Sequence, residues 1–127
     1  MEGNGRVYPL GRPHRDAAFE YYLRLRRVKA FVESCPGQEV SLETAARVAG
    51  LEAKYFSAYF RRKTGLCFKD WLAGLRIEQA QLMMQTRDYS VTEVAFSVGY
   101  NDIRSFQRAF KKLTGMTPRT FRDRMRP

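Results

Sequence analysis

Residues 91–115 read VTEVAFSVGYNDIRSFQRAFKKLTG, and the predicted fold follows from this stretch. Its first half spaces four apolar residues at i, i+3, i+4 and i+7, one face of an α-helix: Val91, Val94, Ala95 and Val98. Ser90 precedes them as a candidate N-cap, and Gly99 follows as a residue that readily takes the left-handed conformation that ends a helix. Beyond a second candidate cap at Asn101 or Asp102, another apolar stripe consists of Phe106, Ala109, Phe110 and Leu113. The stretch therefore predicts a helix-turn-helix.

The second helix of this pair has a polar outer face. Five residues lie away from its apolar stripe: Ile103, Arg104, Gln107, Arg108 and Lys111. An α-helix fits the major groove of B-DNA, where Arg pairs with guanine edges and Gln with adenine edges. Such a face is also typical of an ordinary solvated helix, so by itself it leaves both interpretations open.

The same arrangement occurs twice in the chain. A shift of 49 residues aligns the first helices of the two copies, with Ser41 and Gly50 falling on Ser90 and Gly99. Beyond the Gly the shift becomes 50, so the turn between the two helices is one residue longer in the second copy than in the first. Both copies end with two Phe at i and i+4, two basic residues, one variable residue and Thr-Gly. Two copies in register favour DNA recognition, although a double helix-turn-helix that serves only as a packing scaffold stays open.

Residues 94–122 read VAFSVGYNDIRSFQRAFKKLTGMTPRTFR, which resembles the signature of AraC/XylS-type transcription regulators. In the first copy, Tyr55-Phe56 and the run FRRKTG at residues 60–65 resemble the first helix-turn-helix of that family. The resemblance covers about residues 20–125. It implies a sequence-specific regulator, expected to be an activator, that binds double-stranded DNA at bacterial promoters with both second helices in successive major grooves.

The expected fold class is all-α, with two helix-turn-helix (homeodomain-like) subdomains joined by a long linker helix and about seven helices in total. The expected parts are a flexible arm, a first subdomain, the linker helix and a second subdomain: residues 1–14, 15–66, 67–87 and 88–127. A helix over residues 15–35 opens the first subdomain, because Pro36-Gly37 then ends the pattern.

The linker helix is apolar on more than one side, which predicts packing against two partners. About 18 residues at about 1.5 Å each span roughly 27 Å. With the width of the subdomains added, the two second helices are expected about one DNA turn apart, roughly 34 Å. Both could then enter successive major grooves on one face of a duplex, with some bending of the DNA.

The net charge is +10, from 23 Lys and Arg against 13 Asp and Glu. Its concentration on the two second helices and the C-terminal end favours nucleic acid over a membrane as the partner. The chain has no apolar run of about 18 residues and no signal-peptide pattern, which predicts a cytoplasmic, nucleoid-associated protein. Cys35 and Cys67 are expected as unpaired thiols, and with His14 as the only His we expect neither a metal site nor a cofactor.

The family resemblance and the outward-facing positions together predict which residues contact DNA. Eight are expected to face bases: Lys54, Ser57, Ala58, Arg61, Ile103, Arg104, Gln107 and Arg108. Four are expected to meet phosphates: Arg62, Lys111, Lys112 and Arg119. Because Ser57 and Ala58 are small, base readout by the first copy is expected to be weak, with Lys54 and Arg61 carrying most of it.

Other functions remain open at this point. The fold could be a protein-interaction module that docks on RNA polymerase or on another regulator without reading DNA. An enzyme such as a DNA-repair methyltransferase would need an activated thiol, but no His or Cys lies near Cys35 or Cys67 in the sequence, so no enzymatic activity is expected. RNA polymerase is the expected protein partner of a DNA-bound regulator. Family members often carry a separate sensor or dimerisation domain, so the chain is either a short regulator or the DNA-binding end of a longer one.

Overall fold

The computed structural model describes residues 18–19, 22–35, 40–86 and 88–125. This part of the chain contains seven α-helices with defined bounds and no β-strand, which confirms the predicted all-α fold. The helices are α1 (Leu23–Glu33), α2 (Leu42–Ala49), α3 (Ala53–Thr64), α4 (Phe68–Met84), α5 (Val91–Ser97), α6 (Ile103–Thr114) and α7 (Pro118–Met125). Residues 18–19, ahead of α1, are also helical. None of these helices is long and apolar enough to cross a membrane.

The chain divides into two compact units inside α4, where the first unit ends at Leu72 and the second begins at Ala73. The first unit contains α1, α2, α3 and the N-terminal part of α4, and the second contains the rest of α4 with α5, α6 and α7. The predicted linker helix is therefore a building block of both units, which accounts for its apolar residues on more than one side. The subdomain bounds expected from the sequence stay predictions, and the predicted arm at residues 1–14 lies outside the described residues.

The internal repeat is longer in the structure than in the sequence pattern, because it includes the first helix of each unit. A shift of 52 residues places Leu25, Val28 and Val32, buried in α1, on Ile77, Ala80 and Met84, buried in α4. The same shift places Arg24 on Arg76. Arg24 Nη1 donates to the carbonyl oxygens of Ala49 and Gly50, and Arg76 Nη1 donates to that of Gly99 over 3.2 Å. In each unit, the first helix thus holds the turn of the helix-turn-helix through an Arg side chain.

The core of the first unit is aromatic. Phe19 stacks on Trp71 with ring centroids 4.9 Å apart, and Phe60 lies 5.9 and 5.6 Å from these two rings. Phe56 and Phe68 complete the cluster at 5.7 Å from each other. Aromatic pairs at such distances contribute about 0.5–1.5 kcal/mol beyond the burial of their area. The cluster therefore fixes α3 against the start of α4.

The core of the second unit is more aliphatic. Its buried residues are Ile77, Ala80, Met84, Val94, Ala95, Val98, Phe106, Phe110 and Phe121. Phe110 lies between Phe106 and Phe121, at centroid distances of 5.7 and 5.5 Å. Tyr100 packs edge-on against Phe106, and burial raises the pKa of its hydroxyl. These contacts join α6 to both α4 and α7.

Side-chain hydrogen bonds start both helix-turn-helix pairs. Ser41 accepts from a backbone N–H three residues on, at 3.1 Å. The predicted cap at Ser90 is confirmed, because its hydroxyl accepts from the Glu93 N–H at 3.0 Å. The Glu93 carboxylate accepts in return from the Ser90 N–H at 2.8 Å, which completes a capping box that the sequence analysis did not single out. Asp102, rather than Asn101, caps α6.

The prediction of a single helix over residues 15–35 is wrong at Tyr22. Tyr22 has an extended backbone, with φ −98° and ψ 119°, so α1 begins only at Leu23. The extended backbone allows the Tyr22 ring to lie under the Lys63 ammonium, with Nζ 4.7 Å from the ring centroid. The spacing of apolar residues in this segment does not reveal such a contact, because its partner lies in α3.

We expect Gly99→Ala to destabilise the protein more than Gly115→Ala. Both glycines have a positive φ, 105° and 84°, where a Cβ costs about 1–2 kcal/mol. A Cβ at Gly115 would meet nothing within 4 Å, whereas one at Gly99 would overlap the Arg76 guanidinium and break its hydrogen bond. Urea unfolding should show a loss of about 1–2 kcal/mol for G115A and about 3 kcal/mol or more for G99A. Equal losses would show that the Arg76 contact does not hold the turn.

The stability of the α6 start should depend on pH through Asp102. The Ser105 backbone N–H and then the Ser105 hydroxyl donate to this carboxylate, at 2.8 and 2.9 Å, and hold its pKa below the ordinary value. A lowered folded-state pKa stabilises the protein above the unfolded-state pKa of about 3.9, and this contribution is lost as the pH falls through the folded-state value. An NMR titration of the Asp102 carboxyl carbon should give a midpoint below about 3.9. Asp102→Asn keeps an N-cap acceptor, so its stability should change less below about pH 4.

Candidate nucleic-acid interface

The outer face of α6 is an exposed stripe of long polar side chains. They occupy i, i+3, i+4 and i+7, and with Thr117 they line one open hollow of about 380 Å³: Arg104, Gln107, Arg108 and Lys111. The opposite face carries Phe106 and Phe110, which are both 0% exposed. Because the core holds one face of the helix, the other face is available to a ligand.

The capping carboxylate of α6 lies within electrostatic reach of this stripe. The charge of Arg108 adds to the hydrogen bonds from Ser105 in lowering the pKa of Asp102. Asp102 therefore stays ionised at neutral pH and holds the first turn of α6, which carries Arg104, in one geometry.

The outer face of α3, in the first unit, is smaller. Lys54, Ala58 and Arg61 are exposed, whereas Ser57 is half-buried. Glu52 stands at the N-cap, where Asp102 stands in α6, but its side chain makes no capping hydrogen bond. The positive charges of this face therefore lie near its two ends, with small residues between them.

Two basic side chains beside this face rest on aromatic rings. Arg62 Cζ lies 5.9 Å from the Tyr59 ring centroid, and Lys63 Nζ lies 4.7 and 5.8 Å from the centroids of Tyr22 and Tyr59. Lys63 is half-buried between these rings and so serves the packing of the first unit, while Arg62 is exposed. The sequence analysis missed this role of Lys63 because Tyr22 lies far from it in the chain.

The residues predicted to meet phosphates are all exposed: Arg62, Lys111, Lys112 and Arg119. Arg119 lies in the first turn of α7, which the Thr117 hydroxyl caps by accepting from the Thr120 N–H at 3.1 Å. Thr117 lines the hollow beside α6, although it is not among the residues that the sequence predicted for the site. The residue spacing within α6 does not reveal this position of Thr117, because the residue belongs to the segment that begins α7.

Six of the eight residues predicted to face bases are exposed, and Ser57 and Ile103 are half-buried. Ile103 packs against the core of the second unit, so part of its side chain supports the fold. Arg104, Gln107 and Arg108 lie together on one surface, as the pattern indicated. The part that each residue plays toward DNA stays a prediction.

Within the described ranges, no group of three or more His, Cys, Asp or Glu side chains is placed to hold a metal ion. Cys35 and Cys67 are free thiols. His14 lies outside those ranges.

Comparison with known proteins gives the family. A family model described as a helix-turn-helix domain matches residues 45–124. The HTH-type transcriptional regulator YobQ of Bacillus subtilis is 31% identical over 94 residues, 74% of this chain and 39% of that protein. The HTH-type transcriptional activator RhaS of Enterobacter sp. is 31% identical over 100 residues, 79% of this chain and 36% of that protein. The chain thus spans little more than a third of the length of these relatives.

A solved structure agrees with this assignment. The DNA-binding domain of AdpA, crystallised in complex with a target DNA, has a TM-score of 0.73 and a sequence identity of 30% to this chain. The match covers 78% of this chain and 89% of that domain. The family match spans more than half of the chain and includes both recognition helices, as we call α3 and α6 from here on. This chain therefore belongs to the AraC-type helix-turn-helix family of DNA-binding transcription regulators.

Proposed function

We propose that the chain is the sequence-specific DNA-binding part of a bacterial transcription regulator and that each unit places its recognition helix in the major groove. The observation that carries the proposal is the exposed stripe of α6, with Arg104, Gln107 and Arg108 opposite a buried Phe pair. Arg and Gln make bidentate hydrogen bonds to guanine and adenine edges. The net charge of +10 adds attraction to the phosphates at every sequence.

Base contacts and phosphate contacts are proposed to have different roles. Arg104, Gln107 and Arg108 are proposed to contact bases from α6, and Lys54 and Arg61 from α3. The exposed cations next to them are proposed to contact phosphates: Arg62, Lys111, Lys112 and Arg119. Phosphate contacts supply most of the affinity, while base contacts supply the preference for one sequence.

Both recognition helices are proposed to enter successive major grooves of one duplex. In support, the two units repeat the same helix order and the same contact from an Arg to the turn. α4 joins them as one helix of 17 residues, about 25 Å long. Successive major grooves on one face of a duplex are about 34 Å apart.

The relatives indicate what a whole regulator of this kind does. The AdpA domain binds a target DNA, which supports duplex DNA as the ligand. RhaS is named as a transcriptional activator, which supports activation. RNA polymerase is proposed as the second partner, because an activator acts on transcription. Because the chain spans about a third of these relatives, a sensor or dimerisation domain could complete the regulator. The proposal places the protein on the chromosome in the cytoplasm and gives it no catalytic activity.

Arg108→Ala and Lys112→Ala should separate base contact from phosphate contact. The operator is first obtained by selecting genomic fragments that the chain binds in the presence of non-specific competitor. Arg108→Ala should cost about 1–3 kcal/mol on this operator and less on random DNA. Lys112→Ala should weaken binding to both and reduce the slope of log K against log salt by about 1.

Each variant removes one positive charge, so each is the charge-matched control of the other. Equal losses on operator and random DNA would show that Arg108 does not read sequence. An unchanged salt slope would remove Lys112 from the phosphate contacts. Failure to select any preferred fragment would contradict the proposed function and favour a protein-docking module instead.

The spacing between the two halves of the operator should be restricted. Inserting about five base pairs between them rotates one half by about half a helical turn, because the duplex repeats every 10–10.5 base pairs. Because the proposal has both helices bind one face of the duplex at once, the rotated half should lose its contacts and affinity should fall toward that of one half alone. The gel-shift control inserts about five base pairs outside the operator and should change nothing. Tight binding at any spacing would contradict simultaneous insertion.

A further inference from the structure

The internal repeat allows the two recognition helices to be compared position by position. The shift of 50 residues pairs the stripe of α6 with the outer face of α3: Arg104 with Lys54, Gln107 with Ser57, Arg108 with Ala58 and Lys111 with Arg61. The two outer pairs are basic in both units. The two central pairs differ in kind, because α6 has long polar side chains where α3 has small ones.

The centre of the outer face of α3 has little reach. Lys54 and Arg61 are seven residues apart, about 10 Å along the helix. This length corresponds to about three base pairs at about 3.4 Å each. Between the two cations, Ala58 is exposed and offers only a methyl group. Tyr55 is exposed as well, but it lies to one side of the line from Lys54 to Arg61, where α6 has Ser105.

Ser57 does not make up for this short reach. It is half-buried and lines an open hollow of about 350 Å³ whose other residues are mostly apolar: Val40, Leu42, Cys67, Phe68, Lys69 and Leu72. The hollow beside α6 shares with it only the positions of Ser57 and Cys67, which are Gln107 and Thr117 in the second unit, and its other residues are three cations. Ser57 therefore lies among mostly apolar side chains, whereas its counterpart Gln107 lies among cations.

We propose that α6 carries nearly all of the base discrimination, with Arg108 as its principal specificity residue, while α3 anchors the protein with little preference for sequence. This inference rests on the proposed function and adds which unit reads the operator. Arg108 occupies the centre of the stripe, where α3 has Ala58, and its helix begins at a capped turn that α3 lacks. Ala58 suits only a thymine methyl, and Lys54 and Arg61 contact bases only from the two ends of the α3 face, so a weak preference is left to α3.

The operator should therefore have two unequal halves. One good bidentate contact discriminates between bases by about 5- to 150-fold. Single base-pair changes in the half bound by α6 should lower affinity by such factors, whereas changes in the half bound by α3 should lower it by about twofold or less. Footprinting with Lys54→Ala and Lys111→Ala assigns the halves, because each variant should weaken protection in one half only.

Replacing the small residues of α3 with the corresponding residues of α6 tests whether these side chains cause the difference in base discrimination. Ala58→Arg, alone and with Ser57→Gln, should create a preference of about fivefold or more for particular base pairs in the α3 half, with guanine the expected partner of Arg. Ala58 is exposed and Arg favours helices, so these variants should fold, which circular dichroism checks. Ala30→Arg adds the same charge at an exposed position of α1 and should tighten binding without any new base preference.

The outcomes separate this inference from the proposed function. If base-pair changes in the two halves lower affinity equally, or if Ala58→Arg creates no new preference while specific binding persists, the unequal division is overturned and the DNA-binding function stands. If the chain prefers no sequence at all, both fail. If the halves differ as expected and Arg108→Ala erases the preference of the α6 half, the inference is supported.

Discussion

The geometry of the interface depends on the burial of two Phe rings, one turn apart, on the inner side of each recognition helix. Phe56 and Phe60 of α3, and Phe106 and Phe110 of α6, are 0% exposed. Full burial of one such ring contributes about 1.5–3 kcal/mol. Turning either helix about its axis would expose two of them, so rotation is strongly disfavoured. The residues on the opposite side of each helix are thereby held outward.

The turn before each recognition helix is held not by the Phe pair but by an Arg side chain from another helix. Arg24 and Arg76 reach from the first helix of their units to the carbonyl groups at the end of the second. Gly99 leaves room for the Arg76 guanidinium, because any Cβ there would overlap it. Each unit therefore combines an apolar core, which sets the rotation of its recognition helix, with a polar contact that closes its turn. The two units share α4, so the last helix of one repeat continues as the first helix of the next.

Because the core and the turn fix the fold, the outer residues are free to differ. Ala58 and Arg108 occupy equivalent positions and neither is buried, so exchanging one for the other does not disturb the packing. The inner positions of the two recognition helices keep the same Phe residues, while the outer ones range from a methyl group to a guanidinium. One scaffold can thus carry two recognition helices whose outer faces differ in length and polarity.

Local chemistry was sufficient to predict most of the helices, the cap at Ser90 and the exposure of Arg104, Gln107 and Arg108. These features depend on residues within about four positions of one another, which is the range over which a helix pairs its side chains. The half-burial of Ile103 was missed because the same spacing does not show how closely the core approaches the edge of a face.

Other features arise only when distant segments meet. Tyr22, at the break before α1, contacts Lys63 of α3, the turn at Gly99 accepts a hydrogen bond from Arg76 of α4, and Thr117, just before α7, lies beside the polar stripe of α6. Each of these contacts forms only when two separate segments of the chain pack together. Helical periodicity, which is a property of one segment, therefore determined which residues point outward, and the packing of segments determined which of them share a surface.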